Sequence, residues 1–584
     1  MKKHLFNTQA TLLTKKSLLV MIMSCFMGTA AYAADIAVEN ADGIIIYYNF
    51  INDKKLEVTC EGTWRERDDK TTVFVNNYQN EEVIRIPEEV IYGDQTWKVT
   101  RIGNKAFENC WSLTSVDIPN SVTAIGQFAF RLCTSLTSMD IPNSVKRIEL
   151  EAFMECTSLT SVAIPDSVTY CDSGIFYGCT SLTSVNIPNT WTTIKEMTFL
   201  GCTSLASVDI PNSVTHIGYS AFSYCPLVSV DIPNSVVSIG NGAFYKCSKL
   251  TSVRFGDSVT SIGGAAFSEC TSLTSVDIPN SVTDIELSTF QGCTSLASVN
   301  ISNSVTTIGR QAFDHCSSLT HVDIPNSVVT IEDQAFENCT SLSSVNIGSS
   351  VTSIGIGAFR NCCLTSVDIP NSVVTIGTAA FVSHTLASVN IGNSVVTIGN
   401  HAFQSLKLAS VKIGDSVKEI GSCAFADGVI ESVVIPDAVT TIGESIFYRC
   451  SRLANLTLGK SLKDIGYSAF SGCTGLTRIV SRMENPPSEN LNWWEDVAEE
   501  NVTLYVPMGT KEKYVENPGW NMFKNIVEMG TTDLQSPSMP EASPVIFDLQ
   551  GRQATGTPRK GIYKYKTTNK IYKTTNKSSE LGYS

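Results

Sequence analysis

The chain has 584 residues, a formal net charge of −14 and only 17% charged side chains. Its 43% hydrophobic content excludes a disordered chain. The acidic balance argues against nucleic acid or anionic lipid as a partner and is compatible with basic proteins, cations or plain solubility.

The N-terminus reads as an export signal. Lys2, Lys3, Lys15 and Lys16 precede an apolar run at 17–23, and small residues follow to Ala31, Tyr32 and Ala33. The run is shorter than the roughly 20 residues that span a bilayer, so residues 1–33 are expected to be a signal peptide cleaved near Ala33. Losing those four lysines and no acid takes the charge from −14 to −18. A lipoprotein reading through Ser24 and Cys25 competes, on a poor match before the cysteine. Residues 34–98 read as an N-terminal cap. Strands are expected at 44–48 and 56–58, then a degenerate repeat strand at 83–87 and an insertion through Gly93 and Asp94.

From Val99 to about Arg482 the sequence repeats. The unit S-V-T-x-I-G-x-x-A-F-x-x-C-T-S-L-T-S-V-D-I-P-N recurs with period 23, or 22 where one residue is dropped, in about 17 units. Leu136, Met139 and Ile141 have L-x-x-L-x-L spacing, the strand signature of leucine-rich repeats. Pro142 and Asn143 are turn residues. Val122 and Ile125 form a second short extended segment that Gly126 ends. Ala129, Phe130 and Cys133 lie at a spacing suited to one helical turn. A single unit cannot close a core, but stacked units bury continuous Leu, Val, Ile, Phe and Cys columns. The expected fold is a leucine-rich-repeat solenoid with short parallel strands and a helical turn per unit, about 80 Å long at strand spacing.

Fourteen of the 19 cysteines, from Cys110 to Cys473, share one repeat position, with His384, Leu406 and Gly428 standing there in three units. A buried thiol behaves as a small hydrophobe and suits the position. Stacked side chains run parallel, which disfavours a disulfide ladder, and without C-x-x-C pairs zinc is disfavoured too.

This unit resembles the BspA-like leucine-rich repeats of bacterial surface proteins over about 400 residues. The resemblance implies a cell-surface or secreted protein of adhesion and interaction, many relatives coming from gut and oral anaerobes.

One outward side chain per strand forms a column: Asp117, Asp140, Ala163, Asn186, Asp209, Asp231, Arg254, Asp277, Asn300, Asp323, Asn346, Asp368, Asn390 and Lys412. Asp117, Asp140, Asn186, Asp209, Asp231, Asp277, Asn300, Asp323, Asn346 and Asp368 are the candidate ligand-binding residues. Against this stands the plainer reading that Asp and Asn support the Pro-Asn turn and keep the face soluble. Beside them run Ser115, Ser138, Ser161 and Ser184, with His321 as an exception. Variable turn positions such as Gln127, Phe128, Arg310 and Gln311 are the other place a ligand could touch.

The repeat breaks at Asn485, Pro486 and Pro487, and 483–529 reads as a C-terminal cap with a strand at 502–507. Trp493 and Trp494 fit capping hydrophobics better than a sugar platform. Residues 530–543 are a Ser/Pro/Thr-rich linker. The stretches 545–552 and 560–563 resemble the sorting domain of the type IX secretion route. The near-duplicated Tyr-Lys-Thr-Thr-Asn-Lys at 565–570 and 572–577 departs from that pattern, leaving 544–584 as a degenerate secretion-sorting tail.

Catalysis needs a nucleophile, a base and an orienter in one pocket. The six histidines, His4, His216, His315, His321, His384 and His401, occupy unrelated positions. H-E-x-x-H, a phosphate-cradling glycine loop and G-x-S-x-G are absent. The reading is therefore a non-enzymatic, exported, monomeric binding protein without cofactor or metal. Its partners are expected to be host extracellular-matrix, cell-surface or neighbouring-cell proteins. The alternatives are a structural surface rod and a glycan-binding accessory protein.

Overall fold

The computed structural model describes residues 34–52, 54–66, 72–488 and 492–530, together with three strands at 545–547, 563–567 and 570–574. The signal-peptide expectation at 1–33 lies outside these residues. So does most of the tail, whose three strands form a small antiparallel sheet.

The repeat folds as a parallel β-solenoid. Most coils contribute a three-residue strand such as Ser138–Asp140 and a two-residue strand such as Arg147–Ile148, while the segment around Asp209 runs alongside without strand pairing. The two-residue strands stack in register with the next coil over long runs, the longest holding nine strands from Asp284–Ile285 to Asp464–Ile465. The β-branched Val and Ile that seed these segments point inward and are almost wholly buried. Close stacking requires the repeat glycine. A Cβ on Gly126 would lie 2.7 Å from the carbonyl carbon of Gly103 and 2.8 Å from the amide nitrogen of Asn104.

The expected helical turn does not form. In its place the coils make tight turns in which two residues, four apart, take left-handed φ, except that the coils of Ala379 and His401 have only one such residue. The pair is Lys105 at 60° and Asn109 at 65° in the first coil, and Glu151 at 51° and Glu155 at 58° in the third. Bonds within the segment (Ala106 N–H to Gly103 O at 3.3 Å, Cys110 N–H to Phe107 O at 3.2 Å) alternate with bonds to the next coil. The latter run from Lys105 N–H to Gln127 O at 2.8 Å and from Phe107 N–H to Ala129 O at 2.7 Å. A helix would turn all these groups onto its own chain. The coil gives every second one to its neighbour, which the stacking demands. The same spacing still sends Ala106, Phe107 and Cys110 inward, all three fully buried.

Seventeen phenylalanines from Phe107 to Phe470 stack in one column. Steps between ring centroids run from 5.1 to 6.0 Å, with ring planes within 17° of parallel. Nearly parallel rings that far apart are offset-stacked, a geometry worth about 0.5–1.5 kcal/mol per pair beyond burial. At the N-terminal end Tyr78 packs on Phe107 at 5.1 Å, and its hydroxyl donates to the Thr59 carbonyl. At the other end Trp494 stacks on Phe470 at 4.6 Å.

The cysteine column runs beside the phenylalanines and is buried throughout. From Cys133 on, each thiol of the column donates to the phenylalanine carbonyl of the preceding coil, as Cys133 does to Phe107 at 3.1 Å and Cys316 to Phe290 at 3.2 Å. Two sequence alignments need correcting. His384 and Leu406 are exposed, and Ser383 and Ser405 fill the inward position one residue earlier. These hydroxyls donate to the carbonyls of Cys362 at 2.7 Å and Leu386 at 2.8 Å. In those coils the turn is one residue shorter, so the inward position follows phenylalanine by two residues rather than three. Gly428 is buried where expected.

Burial pushes the Cys293 and Cys450 thiols up from 9.0 to about 12. A thiol whose folded value exceeds its unfolded one stabilises the fold below the unfolded value and loses that contribution as pH rises between them. Stability measured by denaturant titration should therefore fall progressively between about pH 9 and pH 12. Near neutrality, a thiol-reactive chromophore should label only the half-buried Cys363 and Cys423 among the described cysteines, and the others only after unfolding. In mid-column, Phe313→Ala should cost about 3–5 kcal/mol in the same titration.

Candidate functional site

All ten candidate residues are exposed on the strand face: Asp117, Asp140, Asn186, Asp209, Asp231, Asp277, Asn300, Asp323, Asn346 and Asp368. They form one side-chain column, but the sheet beneath them is cut into short ladders. Within a ladder each aspartate registers against a residue that is not acidic. Asp117 opposes Arg85, Asp140 opposes Ala163 and Asp231 opposes Arg254. Asp277, Asp323 and Asp368 oppose Asn300, Asn346 and Asn390. Adjacent coils place acid next to acid at Asp117/Asp140 and Asp209/Asp231, and at both steps the ladder is broken. Like charges directly opposite each other destabilise a ladder, and the alternation removes that cost wherever the strands pair.

The column's partners differ from coil to coil. Arg85 Nε lies 3.2 Å from Asp117 and Arg254 Nε lies 3.7 Å from Asp231. The second pair is about four-fifths exposed on both sides and contributes little. The side chain of Asn186 turns back to the preceding coil, donating to Ile164 O at 2.7 Å and accepting from Ile164 N–H at 2.8 Å. Asp323 accepts from Asn346 and meets His321 Nε2 at 3.0 Å, while His321 Nδ1 sits 2.8 Å from the Ser344 hydroxyl. Asn346 first, then His321, holds the Asp323 carboxyl below the usual carboxylate range. Around Arg254 the face sinks into a shallow depression lined by Asp231, Phe255, Asp257, Asp277 and Asn300. There Phe255 and Gly256 replace Ile and Pro, and Phe255 packs edge-on against Phe267 at 5.6 Å.

Two features were missed in the sequence. The register position of the column does not stop at Lys412 but runs on as Val434, Thr457, Val480, Tyr505 and Val527, turning from polar to largely apolar, with Thr457 and Val480 buried. The S-V-V-I-P motif at 432–436 was the available signal. The ladder breaks have no sequence signature at the level of the repeat. Trp493 and Trp494, read from the sequence as capping hydrophobics, are indeed buried and donate to the carbonyls of Ile465 and Gly519. They offer no surface to a sugar.

The histidines stay apart. His216 contacts Thr215, His315 contacts Asp314 and His401 contacts Gln404. Among the described residues no three His, Cys, Asp or Glu side chains are placed to hold a metal ion.

The chain matches the BspA type leucine-rich repeat region in six overlapping copies, at residues 100–228, 172–286, 215–339, 260–386, 306–429 and 375–485. Among solved structures it is similar to a leucine-rich repeat protein from Bacteroides ovatus, with 26% identity and a TM-score of 0.49 over 81% of this chain and 99% of that one. It is also similar to a leucine-rich cell surface protein from Faecalibacterium prausnitzii, with 27% identity and a TM-score of 0.39 over 73% and 96%. A leucine-rich repeat protein from Eubacterium ventriosum gives 21% identity and a TM-score of 0.35 over 58% and 92%. No curated protein matches the chain.

The Asp323 cluster can be tested directly. Asn346→Ala should move the Asp323 carboxyl titration upward towards the usual carboxylate range, as read by carbon NMR of aspartate-labelled protein. An unmoved midpoint would show that the hydrogen bond is not made in solution.

Proposed function

The chain belongs to the BspA-type leucine-rich repeat family, and from that premise we propose that it is an exported, cell-surface adhesin for host or neighbouring-cell proteins. Leucine-rich-repeat solenoids are binding scaffolds in general, because stacking presents side chains at fixed intervals over a long surface. The observation that carries the reading is the exposed Asp/Asn column on the strand face. Its residues are held by a rigid stack, so little ordering entropy opposes binding. Its charge suits a partner segment rich in Lys or Arg. Export rests on the N-terminal lysines, the apolar run and the small residues before Ala33. No catalytic role is proposed.

Asp209→Asn, Asp231→Asn and Asp277→Asn together should weaken binding to a purified basic matrix protein about tenfold, on the order of 1.4 kcal/mol. The salt dependence should flatten in parallel. Affinity and salt slope both unchanged would remove the column as the binding face. A surface rod serving only as a spacer would give no saturable binding to any purified protein.

A further inference from the structure

The turn side of the solenoid carries a second surface, unrelated to the aspartate column. Gly178 and Gly201 occupy the second left-handed position of consecutive coils, at φ 73° and 75°. A Cβ on Gly201 would lie 3.8 Å from Gly178 Cα and 3.9 Å from Tyr177 Cε2, so the Tyr177 ring edges the bare backbone at Gly201. The next coil puts Tyr224 at the same position. It is 46% exposed and held at φ 64°, a conformation bulky residues rarely adopt. Tyr245 meets Tyr224 edge-on at 5.6 Å, and the Lys246 ammonium sits 5.6 and 5.3 Å from the two ring centres.

On the other side of Gly178 stand two carboxylates. Glu155 holds the same position one coil before Gly178, and Glu151 holds the first left-handed position of that coil. Their Cγ atoms fill the space over Gly178 and Gly174, 3.0 and 2.9 Å from where a Cβ would be. Neither pairs with a cation among the described residues, and neighbouring Arg131 is engaged with Glu108 at 3.4 Å. Burial pushes the Glu151 carboxyl up, against the pull of Arg131. Burial raises the Tyr177 hydroxyl too, with Glu155, Glu151 and Tyr224 adding to it, so ring and carboxylates share one locality.

An aromatic ring beside two carboxylates without a salt-bridge partner among the described residues, next to the bare backbone at Gly201, is complementary to a long cationic side chain on an extended backbone. A guanidinium can lie on a ring face while donating to carboxylates. Lys246 against Tyr224 and Tyr245 already shows the same packing within the chain. We propose that this surface binds an arginine-bearing segment of a partner protein, the guanidinium between Tyr177, Glu151 and Glu155 and the peptide backbone crossing Gly201. The proposal rests on the reading that the chain binds proteins, but it uses a different face from the aspartate column.

The test is fluorescence anisotropy of a labelled Gly-Ser-Arg-Gly-Arg-Gly-Ser peptide with the full chain from residue 34, at about 0.15 M salt. Saturable binding is expected. Glu151→Gln with Glu155→Gln should weaken it about tenfold, and Tyr177→Leu about fivefold. The Asn variants at 209, 231 and 277 should bind within about twofold of the unaltered chain, which separates this surface from the aspartate column. The glutamine exchanges preserve shape, and thermal melting followed by circular dichroism checks that each variant is folded. The proposal is overturned if the peptide does not saturate or if the glutamine pair binds normally. It is also overturned if only the Asn variants lose affinity, or if neutral cellohexaose displaces the peptide.

Discussion

Everything in this molecule depends on one coil lying against the next. A 22- or 23-residue coil has strands too short to form a sheet alone and too little apolar surface to close a core. The stack supplies both. Strand amides, turn amides and cysteine thiols all donate across the coil boundary, and the phenylalanine rings meet there as well. Four kinds of contact thus repeat at one spacing, so a residue that disturbs one disturbs the others. The same coupling explains why the buried serines at 383 and 405 keep the cross-coil hydrogen bond where cysteine is missing.

Most of this architecture was legible in the sequence because burial follows the repeat. The inward Leu, Val, Ile, Phe and Cys positions are those the period predicts, and the number of stacked phenylalanines agrees with about 17 units. The helical turn was misread for a specific reason. Ala, Phe and Cys at 106, 107 and 110 satisfy a helix, but they equally satisfy successive tight turns with left-handed residues. Glycine marks those left-handed positions only in some coils, such as Gly174, Gly178, Gly201 and Gly292. Elsewhere Lys105, Phe128, Glu151 or His315 occupies them, and no local rule flags such residues. The serine-for-cysteine coils were misaligned because a dropped residue can be placed before or after the inward position, and only packing decides which.

The column of candidate residues was equally visible, but its internal order was not. Spacing alone suggests a uniform acidic stripe with repulsion between neighbours. The register shows aspartate opposing Asn, Arg or Ala wherever strands pair, and broken pairing where acids adjoin. The face therefore keeps its negative character with limited self-repulsion. A partner would meet discrete pairs such as Asp323 with Asn346, each with its own hydrogen bonds, rather than a smooth field. Specificity can then reside in individual coils even though the repeat is nearly uniform, as the Arg254 depression illustrates.

The claim that each coil closes only through its neighbours is tested most directly by internal deletion. Removing residues 290–312, one full period of 23 residues, joins Thr289 to Phe313 and keeps every column in register. The account predicts a cooperatively folded protein with β-rich circular dichroism and a denaturation midpoint close to that of the full chain. Removing only 290–300 should break the stack at that point and give a two-step or non-cooperative transition. If the half-period deletion unfolded as a single transition as stable as the full-period one, the dependence of each coil on its neighbours would be contradicted.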